Sequence, residues 1–261
     1  MKIIDFHTHI YPDHLAKKAA DQIFHDYNIE SEFLGTADIL LEEGKKAGIS
    51  KFVLLPISIK PEQVRSINRF IIEEASKHSE FIGFGTCHAS TEDMSGEISF
   101  IKTHGLKGVK IHPDAQKFAI DDKRLYPLYE EMKGDLPVLF HCGDPRYDFS
   151  RPEKLKKVIS DFPDLKVVAA HLGGWCIYGE AFEILKDTDC FFDISSCVPF
   201  MSPEKLKEYI LAYGSERILF GSDFPVSSPV KEVEALKNLR LSEPDIENIA
   251  FRNALQLLNL Q

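Results

Sequence analysis

Eight short apolar runs, rich in β-branched and aromatic residues, alternate along the chain with amphipathic stretches, and no other feature constrains the fold as much. The runs cover residues 2–6, 52–57, 81–86, 108–111, 137–141, 166–171, 190–194 and 217–221. Helices are predicted near 36–47, 61–78, 93–104, 123–133, 151–161, 179–187, 202–213 and 230–239, with a last one at 245–259. Ser202-Pro203 sets a capping residue before an N1 proline, and Gly214 closes that helix. Ser242-x-x-Asp245 opens the terminal helix like a capping box. Its Ile246, Ile249, Ala250 and Leu257 recur at helical spacing and are expected to cover the barrel. Regular strand–helix alternation requires parallel strands, closed as a barrel or open and doubly wound. The count of eight favours closure. So does the spread of polar candidates over the first, fourth, fifth, sixth and eighth strands, which only a closed mouth brings together. The expected fold is therefore α/β, a (β/α)8 TIM barrel, as one domain over residues 1–261. The longest irregular stretch, 10–35, follows the first strand and is expected to cover the mouth.

Composition narrows the partners. A net charge of −10 argues against a nucleic-acid ligand, because phosphate binding needs a basic surface. Five cysteines with no C-x-x-C pair point to free thiols in a reducing compartment. No apolar run reaches the 18 residues of a membrane span, and no signal-peptide core follows Lys2. A cytoplasmic enzyme for a small molecule is the expectation, with a homodimer left open.

The polar residues that end the strands carry the chemistry. In a strand, residues i and i+2 share a face, so His7 and His9 can reach one ion from a single strand. Within Asp5-Phe6-His7-Thr8-His9, the alternating Asp5, His7 and His9 set three polar side chains on an apolar strand, which is costly without partners. His141, His171 and Asp223 each end another strand. His141 and Asp223 would complete a nitrogen and oxygen set suited to Zn²⁺, Mn²⁺ or Fe²⁺. Lys110 and His112 share a face at the end of the fourth strand and are candidates for binding an anionic substrate. Arg146, just beyond His141, could clamp a substrate carboxylate. Cys142 and Cys176 are expected to pack as small apolar residues. Phe24, Phe33, Phe118, Phe149 and Phe200 in the loops hint at an apolar or aromatic substrate.

Asp5-x-His7-x-His9, Gly-Val-Lys-Ile-His-Pro at 108–113, His141-Cys-Gly-Asp-Pro, His171-Leu-Gly-Gly and Gly-Ser-Asp223-Phe-Pro together resemble the amidohydrolase superfamily. More narrowly they resemble its amidohydrolase-related branch, which includes aminocarboxymuconate semialdehyde decarboxylase and related aromatic-acid decarboxylases. The closing Asn248-Ile-Ala-Phe-Arg-Asn253-Ala is similar to the branch's last helix, so the resemblance runs end to end. It implies a distorted barrel with a divalent metal at the mouth, His7, His9, His141 and Asp223 as ligands, and His171 as the acid/base. Lys110 departs from the branch's decarboxylases. It leaves open one metal ion, most simply Zn²⁺, or two ions bridged by a carbamylated Lys110.

The leading expectation is hydrolysis of a small carbonyl-containing substrate by metal-activated water, with Asp223 accepting a proton and His171 acting on the substrate. The alternative is a metal-dependent non-oxidative decarboxylase of a small aromatic or unsaturated acid. A barrel that binds a metal or ligand without catalysis is the third reading, and a closed site of four protein ligands would mark it.

Overall fold

The computed structural model of the chain describes residues 2–260. All eight expected strands form. They are β1 (Ile4–Thr8), β2 (Lys51–Leu54), a third strand in two pieces, β3 (Phe81–Gly83) and β4 (Gly85–Thr86), then β5 (Val109–Ile111), β6 (Val138–Phe140), β7 (Val167–Ala169), β8 (Phe191–Asp193) and β9 (Ile218–Leu219). Every pairing is parallel, in the orders β1-β2-β3 and β4 through β9. Phe84 joins the two sheets: its N–H donates to Leu54 O at 3.0 Å, while the next N–H, of Gly85, donates to Gly108 O at 2.9 Å. Closure comes from Phe6 N–H donating to Phe220 O (2.8 Å) and Asp223 N–H to His7 O (2.8 Å). The result is a closed (β/α)8 TIM barrel.

Alternation along each strand divides the core. Ile4, Phe6, Val53, Leu55, Phe84, Leu139, Val168 and Leu219 fill the barrel, whereas Val109, Ile111, Val138, Phe140, Val167 and Ala169 face the outer helices. Those helices are α1 (Asp13–Tyr27), α2 (Ala37–Ala47), α3 (Val64–Lys77), α4 (Met94–Thr103), the one-turn α5 (Pro113–Gln116), α6 (Tyr126–Met132), α7 (Pro152–Asp161), α8 (Tyr178–Leu185), α9 (Pro203–Tyr213) and α10 (Pro229–Asn238). The terminal segment is one helical run, capped by Ser242, with an irregular middle turn. It runs as α11 (Glu243–Glu247), a π-helical turn (Asn248–Arg252) and α12 (Asn253–Leu258), which packs Ala254, Leu257 and Leu258 against the barrel interior.

The stretch expected to be irregular contains α1. Ala16 is its one buried residue, and Pro12 precedes it without a side-chain cap. An apolar stripe and a cap are the two signals that mark a helix in a sequence, and here both are nearly missing. No helix among the described residues is long and apolar enough to cross a membrane.

Candidate metal centre and active site

The site begins with an irregularity in β1. Ile4 and Phe6 point into the barrel, so plain alternation would turn His7 outward. Between Asp5 and Thr8 the strand runs three residues while β2 runs two, from Phe52 to Leu54. This extra residue is a bulge that rephases the strand and aims His7 and His9 into the mouth. Asp223 and His171 reach the same mouth from backbone in the left-handed region, with φ of 61° and 55°. Non-glycine residues held there concentrate at functional sites.

The outer nitrogens of these imidazoles are committed to acceptors. His7 Nδ1 lies 2.8 Å from Asp193 Oδ2, and His9 Nδ1 lies 2.6 Å from the Leu55 carbonyl. Both Nδ1 atoms therefore carry the hydrogen, and both Nε2 lone pairs face Asp223 Oδ1, at 3.5 and 3.4 Å. Ligands about 2.1 Å from a tetrahedral ion stand roughly 3.4 Å from one another. The spacing of these three donors fits a divalent metal. Their charge states fit as well. Burial, then the charge of Lys110, lowers His7 to about 3, so its ring is neutral. Burial pushes Asp223 up, but the facing imidazoles of His7, His9 and His171 outweigh it and hold the carboxyl well below its ordinary range. Ser196 Oγ donates to its other oxygen.

Lys110 is fully buried in the same cluster, with Nζ 3.3 Å from His7 Nε2. Burial lowers its ammonium to about 8 against the pull of Asp193 and Asp223. On the far side of the floor, His171 Nε2 lies 3.1 Å from His141 Nδ1, and His171 Nδ1 lies 3.0 Å from the Ser195 carbonyl. The His112 ring stacks on His141, with centroids 3.9 Å apart and planes 10° from parallel. His112, Asp114 and His141 form a cluster of potential donors distinct from His7, His9 and Asp223.

A cavity of about 270 Å³ opens above these groups. His7, His9, Lys110, His112, His141, His171 and Asp223 all line it, as expected. Arg146 does not. Its guanidinium is forked onto Asp144 at 2.9 and 2.6 Å, lies 4.9 Å from the Tyr27 ring centre, and donates to Asp26 O. It ties the end of α1 to the loop after β6 rather than reaching into the cavity. None of the five loop phenylalanines lines the cavity either. Its apolar walls are Ile23, Ile29, Ile57 and Ile59, with Tyr27 and Trp175. Cys142 is buried in the core as expected, but Cys176 is exposed.

Two residues escaped the sequence reading. Asp193 binds His7 Nδ1, accepts the His171 N–H at 3.1 Å, and accepts the Ser195 hydroxyl at 2.5 Å. Its signal was a carboxylate inside the apolar seventh strand. Asp114 sits next to His141 and had no comparable signal.

The model of the amidohydrolase family matches residues 4–260. The chain belongs to that family. No curated protein sequence matches this amidohydrolase. Among solved structures it is similar to an uncharacterized TIM-barrel protein from Bordetella bronchiseptica, at 22% identity, 99% coverage of both chains and a TM-score of 0.82. It is also similar to 2,6-dihydroxybenzoate decarboxylase complexed with 2,6-dihydroxybenzoate, at 17% identity, 100% coverage of both chains and a TM-score of 0.77. A third is 5-carboxyvanillate decarboxylase from Novosphingobium aromaticivorans, complexed with manganese and 4-hydroxy-3-methoxy-5-nitrobenzoic acid. It matches at 15% identity, with 99% of this chain and 96% of that one covered and a TM-score of 0.77. At these identities the likeness establishes the shared fold.

Proposed function

We propose that this amidohydrolase is a metal-dependent, non-oxidative decarboxylase of a small planar carboxylic acid. The observation that carries the proposal is the division of its cavity. Ionisable and lone-pair groups are gathered on the floor, while isoleucines, Tyr27 and Trp175 form the walls. Such a chamber suits a single apolar ring that presents its carboxylate downward. Two solved structures of this fold are named decarboxylases of ring carboxylic acids, which supports the same substrate class.

In this reading His7, His9, His141 and Asp223 hold one divalent ion, with Mn²⁺, Zn²⁺ and Fe²⁺ all compatible with the donors. Bound there, the ion would supply a Lewis acid toward the substrate carboxylate and an adjacent oxygen. Lys110 steers the carboxylate to the floor, and His112, its ring nitrogens bonded to Ala115 N–H and the Tyr27 hydroxyl, stacks against His141 beside it. His171 is the acid once its Nε2 has taken up a proton from solvent: that proton goes to the ring carbon as the bond to the carboxylate breaks, the electron pair of that bond stays on the carbon, and CO₂ leaves. Asp193 positions two partners at once, the ring of His7 and the backbone of His171. The free thiols among the described residues support a reducing, cytoplasmic setting.

Hydrolysis is the second reading, and Lys110 favours it. A buried amine 3.3 Å from a ligand nitrogen could be carbamylated and bridge two ions, with His141 and His171 on the second. One experiment separates the two. Metal-reconstituted protein is given carboxyl-¹³C hydroxybenzoates in D₂O, and ions per chain are counted by elemental analysis. Release of ¹³CO₂ with deuterium at the vacated carbon, at about one ion per chain, is expected. About two ions per chain, loading that depends on bicarbonate, and no CO₂ release would replace the proposal with hydrolysis.

A further inference from the structure

Three buried polar atoms at the edge of the cavity floor make no hydrogen bond of ordinary geometry among the described residues: His141 Nε2 and both carboxylate oxygens of Asp114, which has the Ser150 hydroxyl close by. They face each other, with Nε2 3.8 Å from Asp114 Oδ2. A buried donor or acceptor left without a partner loses its hydration and gains nothing in return, so the arrangement needs a cause. The cause is the number of protons on His141. His171 Nδ1 faces the Ser195 carbonyl, an acceptor, so it carries the hydrogen and its Nε2 is a lone pair. His141 Nδ1, 3.1 Å from that lone pair, must be the donor. A neutral imidazole has one N–H, which leaves His141 Nε2 as an acceptor turned toward a carboxylate.

We propose that Asp114 is a positioning residue for the metal centre, taking the Nε2–H of His141 when Nδ1 is given over to a divalent ion. The inference rests on the reading of His141 as a ligand. With Nδ1 occupied, the ring's single proton resides on Nε2 and points at Asp114. A closure of about 1 Å then gives an ordinary charge-assisted hydrogen bond and satisfies two of the three orphaned atoms, His141 Nε2 and Asp114 Oδ2. Ligating histidines are commonly oriented by a carboxylate on the other ring nitrogen.

The surroundings are built for that movement. Asp114 lies on α5, which Gln116 pins to two strands' exits: its Nε2 donates to Ser58 O and Cys87 O, each at 2.8 Å, and its Oε1 accepts His112 N–H at 2.8 Å. The stacked ring of His112 confines His141 to sliding within its own plane. The rival idea, that Asp114 is itself a cation ligand, lacks donors. His112 Nδ1 accepts the Ala115 N–H at 3.3 Å and its Nε2 meets the Tyr27 hydroxyl at 3.2 Å. Only two free donors remain there.

The test uses chelator-stripped full-length protein and Zn²⁺ alone. Zinc affinity is measured by competition with a chromophoric chelator, and imidazole N–H resonances are followed by proton NMR. D114A is expected to bind Zn²⁺ about 10–100-fold more weakly at unchanged stoichiometry. It is also expected to lose a downfield imidazole N–H resonance that wild type gains on zinc loading. D114N keeps an acceptor oxygen and should restore the resonance at a changed shift. Wild-type affinity in D114A alongside a weakened H141A overturns the role of Asp114 and leaves His141 a ligand. Wild-type affinity in H141A overturns the reading beneath it. Loss of one ion per chain in D114A makes Asp114 a ligand and also overturns the proposal. If D114A does not fold, D114N decides: a resonance identical to wild type overturns it.

Discussion

Replacing Lys110 with methionine should stabilise the metal-free protein at neutral pH. The lysine is fully buried, and burial holds its ammonium at about 8 where an exposed lysine titrates at 10.5. That gap corresponds to about 3.4 kcal/mol, by which the fold disfavours the charged form. Between pH 8 and 10.5 the unfolded chain binds the proton and the folded one does not, so stability rises with pH across this window. Below pH 8 the folded protein carries the whole cost. Methionine has nearly the same length, no charge and a flexible stem that fills the space. K110M should therefore gain about 3 kcal/mol at pH 7, and less than about 1 kcal/mol at pH 10. The gain at pH 7 is equivalent to roughly 6–12 °C in Tm for a chain of this size. Urea unfolding of chelator-treated wild type and variant at both pH values measures it. A variant no more stable than wild type at pH 7, or a gain that does not shrink toward pH 10, refutes the reasoning. Either result would mean that Asp193 and Asp223 fully compensate the buried ammonium.

His171→Asn should lower turnover about 10²–10⁴-fold while metal content, by elemental analysis, stays at the wild-type level; loss of the metal would make His171 a ligand. Asp193→Asn leaves the His7 ring without its charged acceptor, and metal affinity measured by chelator competition should fall about 10–100-fold. Gly143 has a φ of 91°, and a Cβ there would stand 2.3 Å from Gly174 Cα. Gly143→Ala should accordingly cost about 2–4 kcal/mol in chemical denaturation by driving apart the loops that follow His141 and His171. An unchanged midpoint would show that those loops separate freely.

The barrel was legible because its strands are buried on both faces and read as unbroken apolar runs, so a histidine or aspartate at each exit stands out. His7, His9, Lys110, His112, His141, His171 and Asp223 were found this way, and all line one cavity. What stayed hidden depends on contacts between distant segments. The bulge in β1 leaves no local mark, since both Phe6 and His7 look acceptable on either face. Helix α1 buries too little to show a stripe. Arg146 and the loop phenylalanines have the chemistry for substrate contact, but only the fold decides that Asp144 claims the arginine and that isoleucines line the walls. Asp193 could have been found by the same logic as Asp223, because it too interrupts a strand near its exit.

The hydrogen bonds divide the floor into two unlike halves. On one, Asp193 and the Leu55 carbonyl fix the outer nitrogens of His7 and His9, so their inner lone pairs converge on Asp223 with no proton to move. On the other, His171 is fixed by Ser195, but His141 spends its only proton on His171 and turns a lone pair toward Asp114. The first half is preorganised for a cation, and the second must break a hydrogen bond and shift a proton before His141 Nδ1 can take part. On the proposed ligand set, His7, His9 and Asp223 would be the side that captures metal, and His141 the side that responds to it. A metal titration of H141A should consequently retain weak binding, while H7A or D223A should retain none.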